Sequence, residues 1–339
     1  MTILSLSDAP AAAGDGPRPV NLRTDLAPLA DLIELVFAHT MDQGGAAAVR
    51  ELRALSRLGP GLSMFPNAND LLLGISMGYV WIAGGRLVGN VSVYPANWPR
   101  SLGSAWIIAN VGVHPDYRGR GIAARLMRAT MGFVRQRGGT AAVLQVDTDN
   151  AVAHRLYLRL GFHDERAFTL WRRSGSLAPP ARSSGAPVFI TRRRPAEWRA
   201  EYALAQRVRP PERGGLGWQR PLHADLFHPP LLRRALDWLN LRALERLVVR
   251  AEDQTRLLAA LWIEHAALVS GTQLTLLVDP ASQGVCDDAL LHLAVRRFSD
   301  RRGALLIEHP SDETGVADTL QRYHFRAQRQ VTHMRWDVR

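Results

Sequence analysis

A 339-residue chain with 47% hydrophobic and 22% charged residues has the composition of a soluble globular protein, long enough for two domains with separate cores. No apolar stretch approaches the roughly 20 residues of a membrane span, and the single cysteine, Cys286, excludes an internal disulfide and a cysteine-built zinc site, so a cytoplasmic protein is expected. The net charge of +11 is carried by arginine alone, which excludes a lysine Schiff base; only Arg192–Arg194 forms a run of three, so a nucleic-acid surface is disfavoured.

Residues 1–19, rich in Ala, Asp, Gly and Pro, lack the basic start and apolar centre of a signal peptide and are expected to form a disordered tail. Val20–Arg23 predicts a short strand, Ala27–His39 an amphipathic helix, and Ala46–Leu58 a second helix ended by Gly59-Pro60-Gly61. Met64–Met77 fits a loop that closes over a site. Tyr79–Ala83, Gly84-Gly85 and Arg86–Tyr94 read as a β-hairpin. Ala105–Val113 is an almost unbroken apolar strand, followed by a helix over Ile122–Val134. Thr140–Val146 is a further strand, Asp147–Asn150 caps a helix over Ala151–Leu160, and Ala167–Arg172 is the last strand of this half.

Between the apolar strand and its helix stands Val113-His-Pro-Asp-Tyr-Arg-Gly-Arg-Gly-Ile-Ala123. Gly119 and Gly121 permit a tight bend with no side chain in the way of a ligand. The helix that follows presents unpaired N–H groups and the positive end of its dipole, so the turn suits an anion such as phosphate. A P-loop needs Gly-Lys-Ser/Thr and the chain has no lysine; a dinucleotide fingerprint fits only as Gly119-x-Gly121-x-x-Ala124 and lacks its βαβ setting.

The pattern Arg118-x-x-Gly121-x-Ala123 after Val113-His-Pro resembles the acetyl-CoA loop of the GNAT superfamily of N-acetyltransferases, Arg/Gln-x-x-Gly-x-Gly/Ala. Asn150-x-x-Ala153-x-x-Leu156-Tyr157-x-x-Leu160-Gly161-Phe162 resembles that superfamily's second signature, and the order of elements matches over roughly Val20–Arg172. The resemblance implies a V-shaped opening between the strands ending at Val113 and Val146. In it the pantetheine arm of acetyl-CoA would pair with backbone groups of Val111 and Val113 and bond to Asn150. Its pyrophosphate would lie on the amides of Gly119, Arg120, Gly121, Ile122 and Ala123, with charge from Arg118 and Arg120. Tyr157 would protonate the leaving thiolate, and no metal is implied. The strand before the turn departs from many members in carrying Asn110 and no carboxylate. His114, Asp147, Asp149 and His154 are alternative bases, none of them assigned, and Trp98 and Tyr94 are candidates to line an acceptor pocket.

A linker rich in Ser, Gly, Ala and Pro spans 174–187, and the same order of elements then recurs. Its members are a strand at Val188–Thr191, a helix at Pro195–Arg207, an irregular stretch at 209–230 and a helix at Leu231–Leu244. A hairpin over Arg246–Glu264, a strand at Gln273–Asp279 and a helix at Asp288–Phe298 follow. A strand at Ala304–Glu308, a helix at Thr314–Tyr323 and a closing strand at Gln330–Asp337 complete the set. The fold expected is therefore α+β (α/β): two tandem GNAT-like domains, 20–173 and 188–339, each a mixed, mostly antiparallel sheet flanked by helices. The second copy is degenerate, with Cys286 and Asp288 in place of Gly121 and Ala123, and Leu320 in place of Tyr157. The expected activity is acetyl transfer from acetyl-CoA to a small amine in the first half, against the alternative of a non-catalytic acyl-CoA-binding module; a homodimer is left open.

Overall fold

The computed structural model describes residues 15–38, 41, 43–57, 77–182, 187–230, 242–252, 256–266, 271–299 and 303–339. Nearly all of the expected loop at 64–77, the helix expected at 231–244 up to residue 241, and the hairpin turn at 253–254 lie outside them. The contacts divide the described chain into two compact units. One takes in the chain up to Leu144 with Arg155–Phe162 and Arg335–Arg339; the other takes in Gln145–His154 and His163–Met334. No helix among the described residues is long and apolar enough to cross a membrane.

The first unit contains β1 (Gly16–Pro19), α1 (Leu26–Phe37), α2 (Gln43–Ser56), β2 (Tyr79–Ala83), β3 (Arg86–Pro95), β4 (Ala105–Val113), α3 (Ile122–Gln136) and the start of β5 (Ala141–Asp147). The strands lie in the order β1-β2-β3-β4-β5, antiparallel except for β5, which runs parallel to β4. The opening strand thus falls at Gly16–Pro19, inside the expected tail, and not at Val20–Arg23. Pro17 and Pro19 argue against a strand by composition, but β1 pairs only with β2, and an edge strand tolerates residues without an N–H. Gly84 and Gly85, at φ +54° and +74°, supply the two left-handed residues of a tight hairpin. Helices α1 and α2 bury Leu26, Leu29, Val49 and Leu52 against each other. Helix α3 buries Leu126, Met127 and Val134, and it settles on β3 at Gly89, where any Cβ would stand 3.0 Å from methyls of Ile122 and Leu126.

The second unit contains β6 (His163–Ser174), β7 (Ile190–Arg192), α5 (Trp198–Val208), β8 (Arg242–Arg250), β9 (Leu257–Ala266), β10 (Thr272–Val278), α6 (Cys286–Arg297), β11 (Ala304–Pro310), α7 (Thr314–Arg322) and β12 (Arg326–Asp337) up to Met334. To keep chain order among helices, the helix Ala151–Arg159 that straddles the two units is called α4. The strand order is β12-β6-β11-β10-β9-β8-β7, with β10 and β11 parallel. Arg242–Leu244 belongs to a strand and not to the helix expected there, because it pairs with Glu264–Ala266.

Strand β6, expected to close the first half, pairs with β11 from Ala304↔Ser174 to Pro310↔Phe168. Two contacts fix it there. Trp171 joins the second core beside Leu305 and Ile307. The buried Arg173 donates to the carbonyls of Tyr323 (2.7 Å), Ser174 (3.0 Å), Leu177 (2.8 Å) and Ala178 (3.0 Å), so most of its N–H groups are met by backbone oxygens.

Candidate active site

The site begins with a fault in β4. Asn90 pairs with Gly112 and Ser92 with Ala109, so β4 carries one residue more than β3 between these pairs. This is a β-bulge, and Asn110 within it has φ +52°. Asparagine is among the few residues that accept a left-handed backbone at modest cost. Asn90 Nδ2 donates to the Asn110 carbonyl (3.0 Å), and Asn110 Nδ2 donates to Ser92 Oγ (3.2 Å), which latches the bulge from β3. Asn90 and Ser92 are buried, and neither was singled out by the sequence reading. Their signal was polarity in the middle of an apolar strand.

On the other side, β5 pairs with β4 only at Ala105↔Ala141, Trp106↔Ala142 and Ile107↔Val143. Beyond Ile107 the edge of β4 that would face β5 is unpaired. Asn110 and Val111 have no register partner on β3 either, so this part of β4 is not in a regular ladder on that side.

At the end of β4 the chain enters a short 3-10 turn, Pro115–Tyr117, capped by His114, whose Nδ1 accepts from the Asp116 amide at 3.3 Å. Arg118 Nε donates back to the Val113 carbonyl (3.2 Å), and Arg120 donates to the Asp116 carbonyl (3.0 Å) while covering the Tyr117 ring. Gly119 and Gly121 follow at φ +77° and +72°, and α3 starts at Ile122. Among the described residues, the amides of Gly119, Arg120, Gly121, Ile122, Ala123 and Ala124 donate to no backbone carbonyl. A Cβ at Gly119 would meet nothing within 4 Å, so the cradle is open on its outer side. Unclaimed amides at a helix start carry partial positive charge and suit an anion.

Tyr157 lies in the part of α4 that belongs to the first unit. It is buried, its ring is 6.0 Å from that of Phe162, and burial pushes its phenol above the usual tyrosine range. Val111, Val113, Arg118–Ala123 and Tyr157 are thus in one unit. Asn150 is in the other, where its Oδ1 caps α4 by accepting from the Ala153 amide at 3.1 Å. Of the alternative bases, His114 caps its turn, His154 Nε2 sits 2.8 Å from Asp164, and Asp147 is paired with Arg329. Asp149 is exposed. Trp98 lies under the Arg335 guanidinium, and burial pushes the Tyr94 phenol up. Among the described residues no group of three His, Cys, Asp or Glu side chains is placed to hold a metal.

The profile of the Acetyltransferase (GNAT) family matches residues 57–162, which take in the bulge, the turn and Tyr157. The chain carries a GNAT acetyltransferase domain. N-acetyltransferase 8B of Rattus norvegicus is 34% identical over 100 residues, 28% of this chain and 45% of that protein. The N-alpha-acetyltransferase RimI of Mycobacterium tuberculosis is 34% identical over 111 residues, 33% of this chain and 61% of that protein. The matched stretch therefore spans about half the length of these curated relatives. A crystal structure of a GCN5-related N-acetyltransferase from Sphaerobacter thermophilus shares the fold end to end, with TM-score 0.62, 16% identity and coverage of 97% of this chain and 98% of that one.

The second GNAT-like unit repeats the local geometry up to a definite residue. Asp279 caps the 3-10 turn Pro280–Ser282 as His114 caps its own, and Gly284 has φ +82° where Gly119 has +77°. At the place of Gly121 stands Cys286, already helical, so the second left-handed step is missing. Asp287 and Asp288 are fully buried, and Asp288 accepts from the Tyr323 hydroxyl at 3.0 Å. Strands β10 and β11 pair only at Thr272–Leu274 and then part. Here the gap is filled. The buried Arg209 donates to the Leu276 carbonyl on β10 (3.3 Å), lies 3.5 Å from His309 Nδ1 on β11, and pairs with Glu313. Leu276 precedes the end of its strand by two residues, as Val111 does. Leu320 occupies the place of Tyr157, and the Phe325 amide bonds to its carbonyl at 3.0 Å just as Phe162 bonds to Tyr157.

Proposed function

We propose that the first unit transfers an acetyl group from acetyl-CoA to the amine of a small acceptor by direct attack on the thioester. The observation that carries this reading is the row of unclaimed amides from Gly119 to Ala124, set on a bulged strand with a free edge. The pyrophosphate rests on those amides with Arg118 and Arg120 beside it, and the pantetheine arm pairs with β4 at Val111 and Val113. Asn150, which has its own helix to cap, carries the least of this reading.

In the reaction the amine nitrogen forms a bond to the carbonyl carbon, the C–S bond breaks, and the acceptor's surplus proton leaves to solvent. Tyr157 gives its proton to the departing thiolate and takes one back from solvent, which restores the phenol. Its burial holds the phenol protonated through the neutral range, so the proton is present when sulfur needs it. Desolvation raises the proton affinity of a thiolate in the same surroundings too, because burial disfavours both anions. The second unit binds no acetyl-CoA in this reading, since Arg209 claims the strand edge and Asp287 and Asp288 replace an uncharged helix start.

Calorimetric titration with acetyl-CoA is expected to give one site per chain, and no binding would overturn the reading. A thiol-release assay over an amine panel should show Tyr157→Phe slower by about a hundredfold, with acetyl-CoA affinity little changed. Equal turnover in that variant would remove Tyr157 from the role. One observation favours a second reading, a non-catalytic acyl-CoA-binding module: β4 has no carboxylate, and His114, Asp147 and His154 are already engaged. Binding without thiol release for any amine would select it.

A further inference from the structure

The second unit has a cavity of about 680 Å³, lined by residues of β7, β8 and α6 and by Arg182 and Val188 of the segment before β7. That volume lies within the range of small-molecule sites. Its floor is apolar: Val188, Ile190 and Leu293 pack one side on the second core and remain half-buried on the side that lines the cavity.

The rim is basic. Arg182, Arg192, Arg296 and Arg297 line it against a single lining carboxylate, Glu245. Glu245 is already shared by Arg192 (3.1 Å) and Arg297, so its charge is more than offset. Arg182 Nε lies 3.5 Å from Asp288, which is fully buried, does not line the cavity and also accepts from the Tyr323 hydroxyl. Arg296 is exposed and has no ion pair with a carboxylate among the described residues. His292 lines the same cavity, and its Nδ1 is buried with no hydrogen-bond partner among the described residues.

We propose that this cavity binds a small amphipathic organic anion, a carboxylate on an apolar body. The carboxylate meets Arg296 and Arg182, the apolar body covers Val188, Ile190 and Leu293, and His292 Nδ1 gains a polar partner. Inorganic phosphate or a polyphosphate would leave the apolar floor uncovered and bring several negative charges close to Glu245. The assignment is independent of acetyl transfer, which is read from the other unit.

Calorimetry of the full chain with 2-naphthoate tests it. One saturable site is expected, weakened about tenfold or more by Arg296→Glu and by use of the neutral isostere 2-naphthylmethanol, because each removes a charge-assisted contact. Leu293→Asp should weaken binding similarly from the apolar side. Circular dichroism of each variant verifies the fold, which the exposure of Arg296 leaves intact. Failure of 2-naphthoate to saturate would overturn the proposal. So would equal affinity for the alcohol, or an affinity untouched by both substitutions.

Discussion

At Gly121 one backbone angle sets both the path of the chain and the room left in front of the helix start. Its φ of +72° is costly for any residue with a Cβ, by about 1 kcal/mol. Space is not the obstacle, since a Cβ there would meet only Arg125 Nη2 at 3.9 Å. Gly121→Ala is therefore expected to stay folded, to lose about 1 kcal/mol in urea unfolding, and to bind acetyl-CoA about tenfold more weakly because the methyl enters the cradle. A variant with unaltered affinity would show that the cradle is not where the phosphates rest. The two glycines were legible in the sequence because left-handed steps beside a helix start leave few other choices of residue. The bulge at Asn110 was not legible. Its angle is imposed by Asn90 and Ser92 on the neighbouring strand, and no local pattern announces a contact between residues so far apart in the chain.

At the scale of elements, the strand–turn–helix unit occurs twice with the same capped 3-10 turn, and the difference lies in what occupies the gap between the parallel strands. In the second unit it is an ionic cluster. Burial on its own would raise the Glu313 pKa, but the hydrogen bond from His309 and the charges of Arg209 and Arg166 outweigh it and hold the carboxyl at about 2. Burial, helped by Arg209, holds His309 below its ordinary value and therefore neutral. Both shifts are downward, so both groups stabilise the fold above their unfolded values and cease to do so in acid. As pH falls through 6.5, the unfolded chain takes up a proton that the buried imidazole refuses. Below 4.5, protonation of the unfolded glutamate removes stability down to about pH 2. Urea unfolding across this range should show the decline. Glu313→Gln should flatten its lower part while costing about 3 kcal/mol at neutral pH, because Arg209 and Arg166 lose their buried counter-charge. A variant with the wild-type acid profile would exclude Glu313 as the titrating group. The alternation of strands and helices was readable on both sides of the linker, since periodicity is a local property. The filling of the second gap was not, because Arg209 follows α5 and reaches β10 and β11 only in three dimensions.

Across the whole molecule, sequence order and structural unit part company at the ends of the chain. The Ser- and Pro-rich stretch at 174–187 suggests a cut there, yet β6 before it pairs with β11 after it, and Arg335–Arg339 belong to the first unit. Trp336 is the anchor of that last segment. It is 6% exposed, its ring stands 6.3 Å from Phe162, the Arg135 guanidinium lies 4.8 Å above it, and the Val338 amide donates to the Thr140 carbonyl at 2.9 Å. Phe162 in turn packs on Tyr157, so the C-terminal residues of the chain support the residue assigned to proton transfer. Two consequences follow from one contact set. Trp336→Ala should cost about 3–5 kcal/mol, the range for deleting a large buried aromatic, and should impair thiol release through Tyr157 more than acetyl-CoA binding at the α3 turn. A fragment ending at Arg182 should lack a cooperative thermal transition, because it lacks Trp336 and Val338 and its β6 has no β11 to pair with. A fragment that melts cooperatively and binds acetyl-CoA as the full chain does would show that the first unit is complete without the C-terminal residues.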